Sequence, residues 1–206
     1  MNSERSFFCI STDLRRDVPR QVDLTMARAG GALGPYPARH LQEMGRGWRS
    51  KGSGFPRNCP PDRIVYEFDP GRPLLDFMTG ADWWIVSKAA VDVLTKFSAA
   101  EIDVVPAEVM QRYKGEDRPT APRWQCDVIR FEDPVDEAAS TIHWTSDGKR
   151  YDTNSKLVFK SDLPANLHLF RIWHEPSTIV CSAELRDALI AARLSGIVFK
   201  KIGGGR

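Results

Sequence analysis

The sequence predicts an α+β protein, a mixed and largely antiparallel sheet with a few helices packed on it, and three observations carry that prediction. Segments with alternating or compact apolar character outnumber segments with a helical period. Two distant stretches, IVSKAAVDVL (Ile85 to Leu94) and VCSAELRDAL (Val180 to Leu189), each join a strand-like run to a serine and a helical stripe. The 206 residues, 42% hydrophobic and 27% charged, have the balance of an ordinary globular chain. A chain of this size can bury about 70% of its unfolded surface around one core. The expectation is a single domain over 1–206, with an irregular Arg/Gly/Pro-rich part at 1–63 and an α+β core at 64–202.

Phe7-Phe8-Cys9-Ile10 is an apolar run suited to a first strand. From Arg20 to Pro61, Pro35-Tyr36-Pro37, Gly45-Arg46-Gly47 and KGSGFPRNCPP break every period, so this segment reads as irregular structure around the core. Ile64, Tyr66 and Phe68 alternate with Val65 and Glu67 in a strand closed by Asp69-Pro70-Gly71. Asp82-Trp83-Trp84-Ile85-Val86 reads as a buried strand whose adjacent tryptophans point to opposite faces, leaving one free to meet a loop or a partner. Ser87 is placed to cap a helix, and Ala90, Val91, Leu94 and Phe97 stripe one face of it. Ile102 to Pro106 is the next strand.

Farther along, Trp124, Cys126 and Val128 alternate with Gln125, Asp127 and Ile129, and Ser146-Asp147-Gly148 can turn the strand Thr141 to Trp144 back on itself. Lys156 to Phe159 and Leu167 to Trp173 add two strands. The final unit reads as strand Thr178 to Cys181, cap Ser182, a helix with Leu185, Leu189 and Ala192 inward, Gly196 as a left-handed stop, and strand Ile197 to Phe199. A shift of 95 positions lays Ser87 on Ser182, Asp92 on Asp187, Leu94 on Leu189 and Ile102 on Ile197. Both are strand–helix–strand units, and a duplication requires the strand directions to agree.

Chemistry is harder to find. Cys9, Cys59, Cys126 and Cys181 stand apart, without the close spacing of zinc or redox pairs, and read as free thiols. His40, His143, His168 and His174 show no metal spacing, and neither His143 nor His168 has a Ser or Cys beside it in the sequence as a nucleophile would require. ARAGGALGPYP lacks the Lys-Ser/Thr pair and following helix of a phosphate cradle. No catalytic, metal or cofactor site is expected. A site hidden in the irregular segment, around His40 and Glu43, is the enzymatic alternative.

Net charge is only +2, but its distribution is uneven: residues 1–63 hold eleven Lys/Arg against six acids, and 101–140 hold ten acids against five bases. In Glu132-Asp133-Pro134-Val135-Asp136-Glu137 the first reading is a turn or helix start, the second a contact for a basic partner, and the third acid–base catalysis. Trp83, Trp84, Trp124, Trp144 and Trp173 lie in strand-like runs and read as core, whereas Trp48, in a Gly/Arg loop, reads as accessible. Glu132, Asp133, Asp136, Glu137, Trp48 and Trp83 are therefore the candidate partner-binding residues. No apolar run reaches the roughly 20 residues that span a bilayer, and the opening MNSERSFFCISTDLRR has no signal-peptide pattern, so a cytoplasmic protein without a membrane partner is expected.

The order PLLDFM, DWWIVSKAAVDVL, EIDVVPAEV, EDPVDEAAS, HLFRI and TIVCSAELRDALIAARLSGIVFKKI resembles the eleventh immunity-protein family of bacterial polymorphic toxin systems. The matching positions are Asp76, Ser87, Leu94, Pro106, Asp136, Ser140, Phe170, Arg171, Ser182, Leu189, Gly196 and Phe199. The resemblance implies a non-enzymatic cytoplasmic protein, encoded beside a toxin, that binds and neutralises it. The alternative is a nucleic-acid-binding accessory protein using the Arg-rich N-terminal third and Trp48.

Overall fold

The computed structural model describes residues 5–13, 20–26, 61–67, 74–79 and 83–202, apart from 147, 149 and 153. In chain order the elements are β1 (Phe7–Thr12), β2 (Arg20–Met26), β3 (Pro61–Glu67), β4 (Phe77–Thr79), β5 (Trp84–Ser87), α1 (Lys88–Ser98), β6 (Ile102–Tyr113), β7 (Glu116–Pro119) and β8 (Arg123–Val128). They continue with β9 (Phe131–Glu132), β10 (Leu169–Ile172), β11 (Glu175–Ser182), α2 (Ala183–Ala191) and β12 (Ile197–Ile202). One sheet runs β12-β1-β11-β10-β9; the other runs β2-β3-β6-β8-β5-β4, with β7 also on β6. Most pairings are antiparallel, and β3–β6 and β9–β10 are parallel. The class is α+β, as the patterning predicts.

Both helices start where a serine ends a strand. Ser87 keeps an extended backbone and its Oγ accepts the Ala90 N–H at 3.3 Å; Ser182 does the same for Leu185 at 3.2 Å. The inward stripe follows: Ala90 and Leu94 on α1, Leu185 and Leu189 on α2, all fully buried. These four join Ile10, Phe77, Trp84, Val86, Cys126, Leu169, Ile179 and Cys181 in one cluster, so both sheets share a core with both helices. The opposite faces carry separate clusters. Phe7, Phe170, Ile172 and Val180 pack with Tyr151 and Phe159 over the first sheet, while Ile64, Tyr66, Met78, Trp83, Ile85 and Val109 pack over the second.

The strand directions agree in the two units. β5 and β6 both run antiparallel to β8 and flank it, and β11 and β12 both run antiparallel to β1 and flank it. Each unit is thus a parallel strand pair, joined through a helix, with a third strand inserted between. The registers correspond as well: Ser87 faces Arg123 as Ser182 faces Phe7, and Ile102 faces Val128 as Ile197 faces Thr12. Burial repeats with the same offset, since Trp84 and Val86 and their counterparts Ile179 and Cys181 all enter the shared core. The inserted strand differs in origin: β8 follows its unit in the chain, whereas β1 precedes its own by most of the sequence.

Several expectations are corrected. Arg20 to Met26, read as irregular, forms β2 on β3, and the rest of that segment to Cys59 and Pro60 lies outside the described residues, as does the Asp69-Pro70-Gly71 turn. Ala192 is exposed and caps α2 rather than entering the core. The residue that stops α2 in the left-handed region is Arg193, at φ 53°. Gly196 also has positive φ, 86°, but for a different reason: a Cβ there would lie 2.1 Å from the Phe77 carbonyl oxygen. The chain must pass that close because Phe77 N–H bonds to Ser195 O and Asp13 N–H to Gly196 O. Thr141 to Trp144 and Lys156 to Phe159 do not form continuous strands. They pair only at isolated bridges, Thr141–Lys156, Trp144–Tyr151 and Val135–Phe159, although the turn at Gly148 is present.

Two polar clamps join the sheets. Arg171 on β10 is 1% exposed; its Nη2 meets Asp127 of β8 at 2.9 Å, its Nε donates to Val128 O at 2.8 Å and its Nη1 to Pro176 O at 2.7 Å. Asp127, which alternates with Cys126 and Val128 along β8, is 2% exposed and meets this partner inside the protein. At the other junction Asp76 Oδ2 accepts from Ser195 N–H at 2.9 Å and Ser195 Oγ–H at 2.7 Å.

Candidate functional site

The acidic run leaves β9 at the edge of the first sheet and opens a long excursion that returns at β10. Its four carboxylates have different duties. Glu132 accepts from Arg130 Nε at 2.7 Å, and Arg130 also meets Glu101 at 3.0 Å, so this charge is spent inside a local network. Asp136 Oδ1 accepts the N–H groups of Ala138 and Ala139 at 3.0 and 3.1 Å, which makes a turn and no helix. Asp133 is exposed and lies 3.4 Å from Lys160 Nζ, an ion pair of little strength in water. Glu137 is exposed and makes no ion pair with another described residue. The cluster that looks uniform in sequence therefore leaves Asp133 and Glu137 exposed, while Glu132 and Asp136 hold the local structure.

Trp83 is a correction. At 4% exposed it lies in the cluster over the second sheet, opposite Trp84 in the shared core, so both tryptophans are packed inside the protein. Trp48, His40 and Glu43 lie outside the described residues. The tryptophans that do stand out, Trp144 at 44% and Trp173 at 51%, are two that the sequence assigned to the core. Trp144 borders the turn at Gly148, and Trp173 lies in the β10–β11 turn, where a strand's alternation no longer applies. Neighbouring turn residues were the available signal.

These side chains converge on one framework. The Trp144 ring lies 5.0 Å from that of Tyr151 and 5.1 Å from that of His174, and Trp173 packs edge-on to Phe131 at 6.0 Å. The Trp173 backbone N–H bonds to Glu132 O, tying the β10–β11 turn to the start of the acidic run. The Tyr151 hydroxyl is buried without a hydrogen-bond partner among the described residues. Burial first, and then the negative charges of Asp133 and Glu137, push its pKa up to about 12.

The structure also brings a serine to a histidine, which linear spacing does not reveal: His168 Nδ1 lies 2.9 Å from Ser182 Oγ. That hydroxyl is fully buried and already accepts the Leu185 N–H, while Ser182 N–H bonds to His168 O. The geometry is that of a reinforced helix cap. Cys126 and Cys181 are buried free thiols; burial raises both, Cys181 to about 12, which keeps them protonated and unreactive. Among the described residues no group of His, Cys, Asp and Glu is arranged to hold a metal, and no helix is long and apolar enough to cross a membrane.

A model of the Immunity protein family (Imm11) matches residues 20–204. The chain belongs to this family. No curated protein matches it. The Imm11 match takes in both helices and every strand except β1. The positions that carry the resemblance are framework in this Imm11 protein. Ser87 and Ser182 cap, Leu94 and Leu189 fill the core, Asp76 and Arg171 clamp the sheets, Gly196 allows a backbone crossing, and Ser140 accepts the Val158 N–H at 2.8 Å.

Proposed function

We propose that this chain neutralises a cognate toxin in the cytoplasm by forming a stoichiometric complex with it, without catalysis of its own. The observation that carries the reading is the Imm11 match over residues 20–204. The distribution of chemistry supports it: the buried serines and thiols and the half-buried His168 cap helices or fill the core, whereas Trp144 and Trp173 stand exposed, and tryptophan is enriched at protein interfaces. An inhibitor of this type covers or distorts the toxin's active site through a contact of about 1,600 Å².

The test is to co-express this protein with the candidate toxin domain from the reading frame adjacent to its gene. Growth should be restored and the two chains should co-purify at a fixed ratio. Continued killing in cells that contain abundant folded immunity protein would refute the reading.

A further inference from the structure

Among the described residues Trp144, Trp173 and Ile190 are the large apolar side chains that stand exposed. Two of the three are linked through His174. Trp173 and His174 are consecutive in the β10–β11 turn, and His174 touches the Trp144 ring. Each indole is backed by a buried ring, Tyr151 behind Trp144 and Phe131 behind Trp173, so both are held in place before any partner arrives. Ordering costs that a mobile side chain would incur on binding are thereby reduced. Two exposed carboxylates lie near: Asp133, held only by a 3.4 Å ion pair to Lys160, and Glu137 both act on Tyr151, the ring that backs Trp144.

We infer that Trp144, Trp173 and His174, with Asp133 and Glu137, form the face on which the toxin docks, and that the toxin presents arginines to it. This rests on the toxin-neutralising reading above. Arginine is the residue whose chemistry suits every part of the surface. Its guanidinium stacks on an indole and pairs with a carboxylate. Tryptophan and arginine are also the residues that most often dominate binding energy at protein interfaces. A nucleic acid fits less well, because its phosphates would meet Asp133 and Glu137 while its bases sought the indoles.

The experiment is titration calorimetry of the adjacent-frame toxin domain, catalytically disabled, against the wild-type protein and against Trp144→Ala, Trp173→Ala, Asp133→Lys/Glu137→Lys and the control Ile190→Ala. Melting curves establish that each variant is folded. Each tryptophan truncation should weaken binding roughly tenfold or more. The charge reversal, which alters only exposed groups and so guards against a misfolded tryptophan variant, should weaken binding and flatten its salt dependence. Ile190→Ala should bind like wild type. If wild type binds and the patch variants bind equally well, the docking face is elsewhere and the immunity function stands. If wild type neither binds nor protects, both readings fall. Tight binding of single-stranded oligothymidine that Trp144→Ala abolishes would overturn the protein partner in favour of a nucleic acid.

Discussion

Arg171 shows how much one side chain can carry when it is taken fully out of water. Its guanidinium reaches Asp127, Val128 O and Pro176 O together, and the pair with Asp127 has side chains just 2% and 3% exposed. Breaking such a pair leaves an uncompensated charge behind, so Arg171→Ala or Asp127→Ala should each cost about 3–5 kcal/mol in urea unfolding. Replacing both by apolar residues should recover part of that loss, because the stranded charge is gone while the two carbonyls remain unserved. Single variants no less stable than the double would contradict this account. Asp76 provides the complementary case. Burial disfavours its ionised form, but hydrogen bonds from the Ser195 N–H and from the Ser87 and Ser195 hydroxyls, with the charge of Arg123, outweigh it and hold the carboxyl below its usual range. The unfolded chain then takes up the proton first, so this contribution is present above about pH 4 and disappears as pH falls through the folded value. Asp76→Asn should lower stability at neutral pH and lose less on acidification. Parallel stability curves for the two proteins would exclude a linked role for Asp76.

At the level of the element, the helices were legible because their signals are local. A serine at the end of a strand, followed by apolar residues at helical spacing, is sufficient to place α1 and α2, and the structure puts the caps and the inward residues where the spacing predicts, Ala192 apart. Each cap hydroxyl does more than hold an N–H, since Ser87 also serves Asp76 and Ser182 also meets His168. Ser87→Ala and Ser182→Ala should each cost about 1–2 kcal/mol, read from the urea midpoint. A neutral result at either position would mean that the cap is replaced by water. The excursion from Asp133 to His168 was not legible for the opposite reason. Its residues are ordered by remote partners, such as Val135 by Phe159 and Tyr151 by His174, so alternation along the sequence reported strands that exist only as single bridges. Trp144 and Trp173 were misassigned by the same effect. Their apolar neighbours look like core, but they sit beside turns that direct them outward. The burial of Asp127 was not legible either, since nothing near it in sequence announces Arg171.

For the whole molecule, the doubled unit that the sequence hints at through Ser87 and Ser182 is carried through strand direction, register and burial. What the sequence did not disclose is that β1, far from its unit in the chain, completes the second copy. The candidate site follows the same division. Its acids were visible as a run, but which of them are available depends on Arg130, Lys160 and the backbone of Ala138 and Ala139, and its aromatic half assembles only when the β10–β11 turn meets the excursion. The position of β1 also bears on how the protein is born. A ribosome releases Phe7–Thr12 early and the two strands that sandwich it, Glu175–Ser182 and Ile197–Ile202, only after most of the message has been read. The nascent chain must keep that apolar ribbon unmatched throughout, and the first sheet can close only once Ile197–Ile202 has been made.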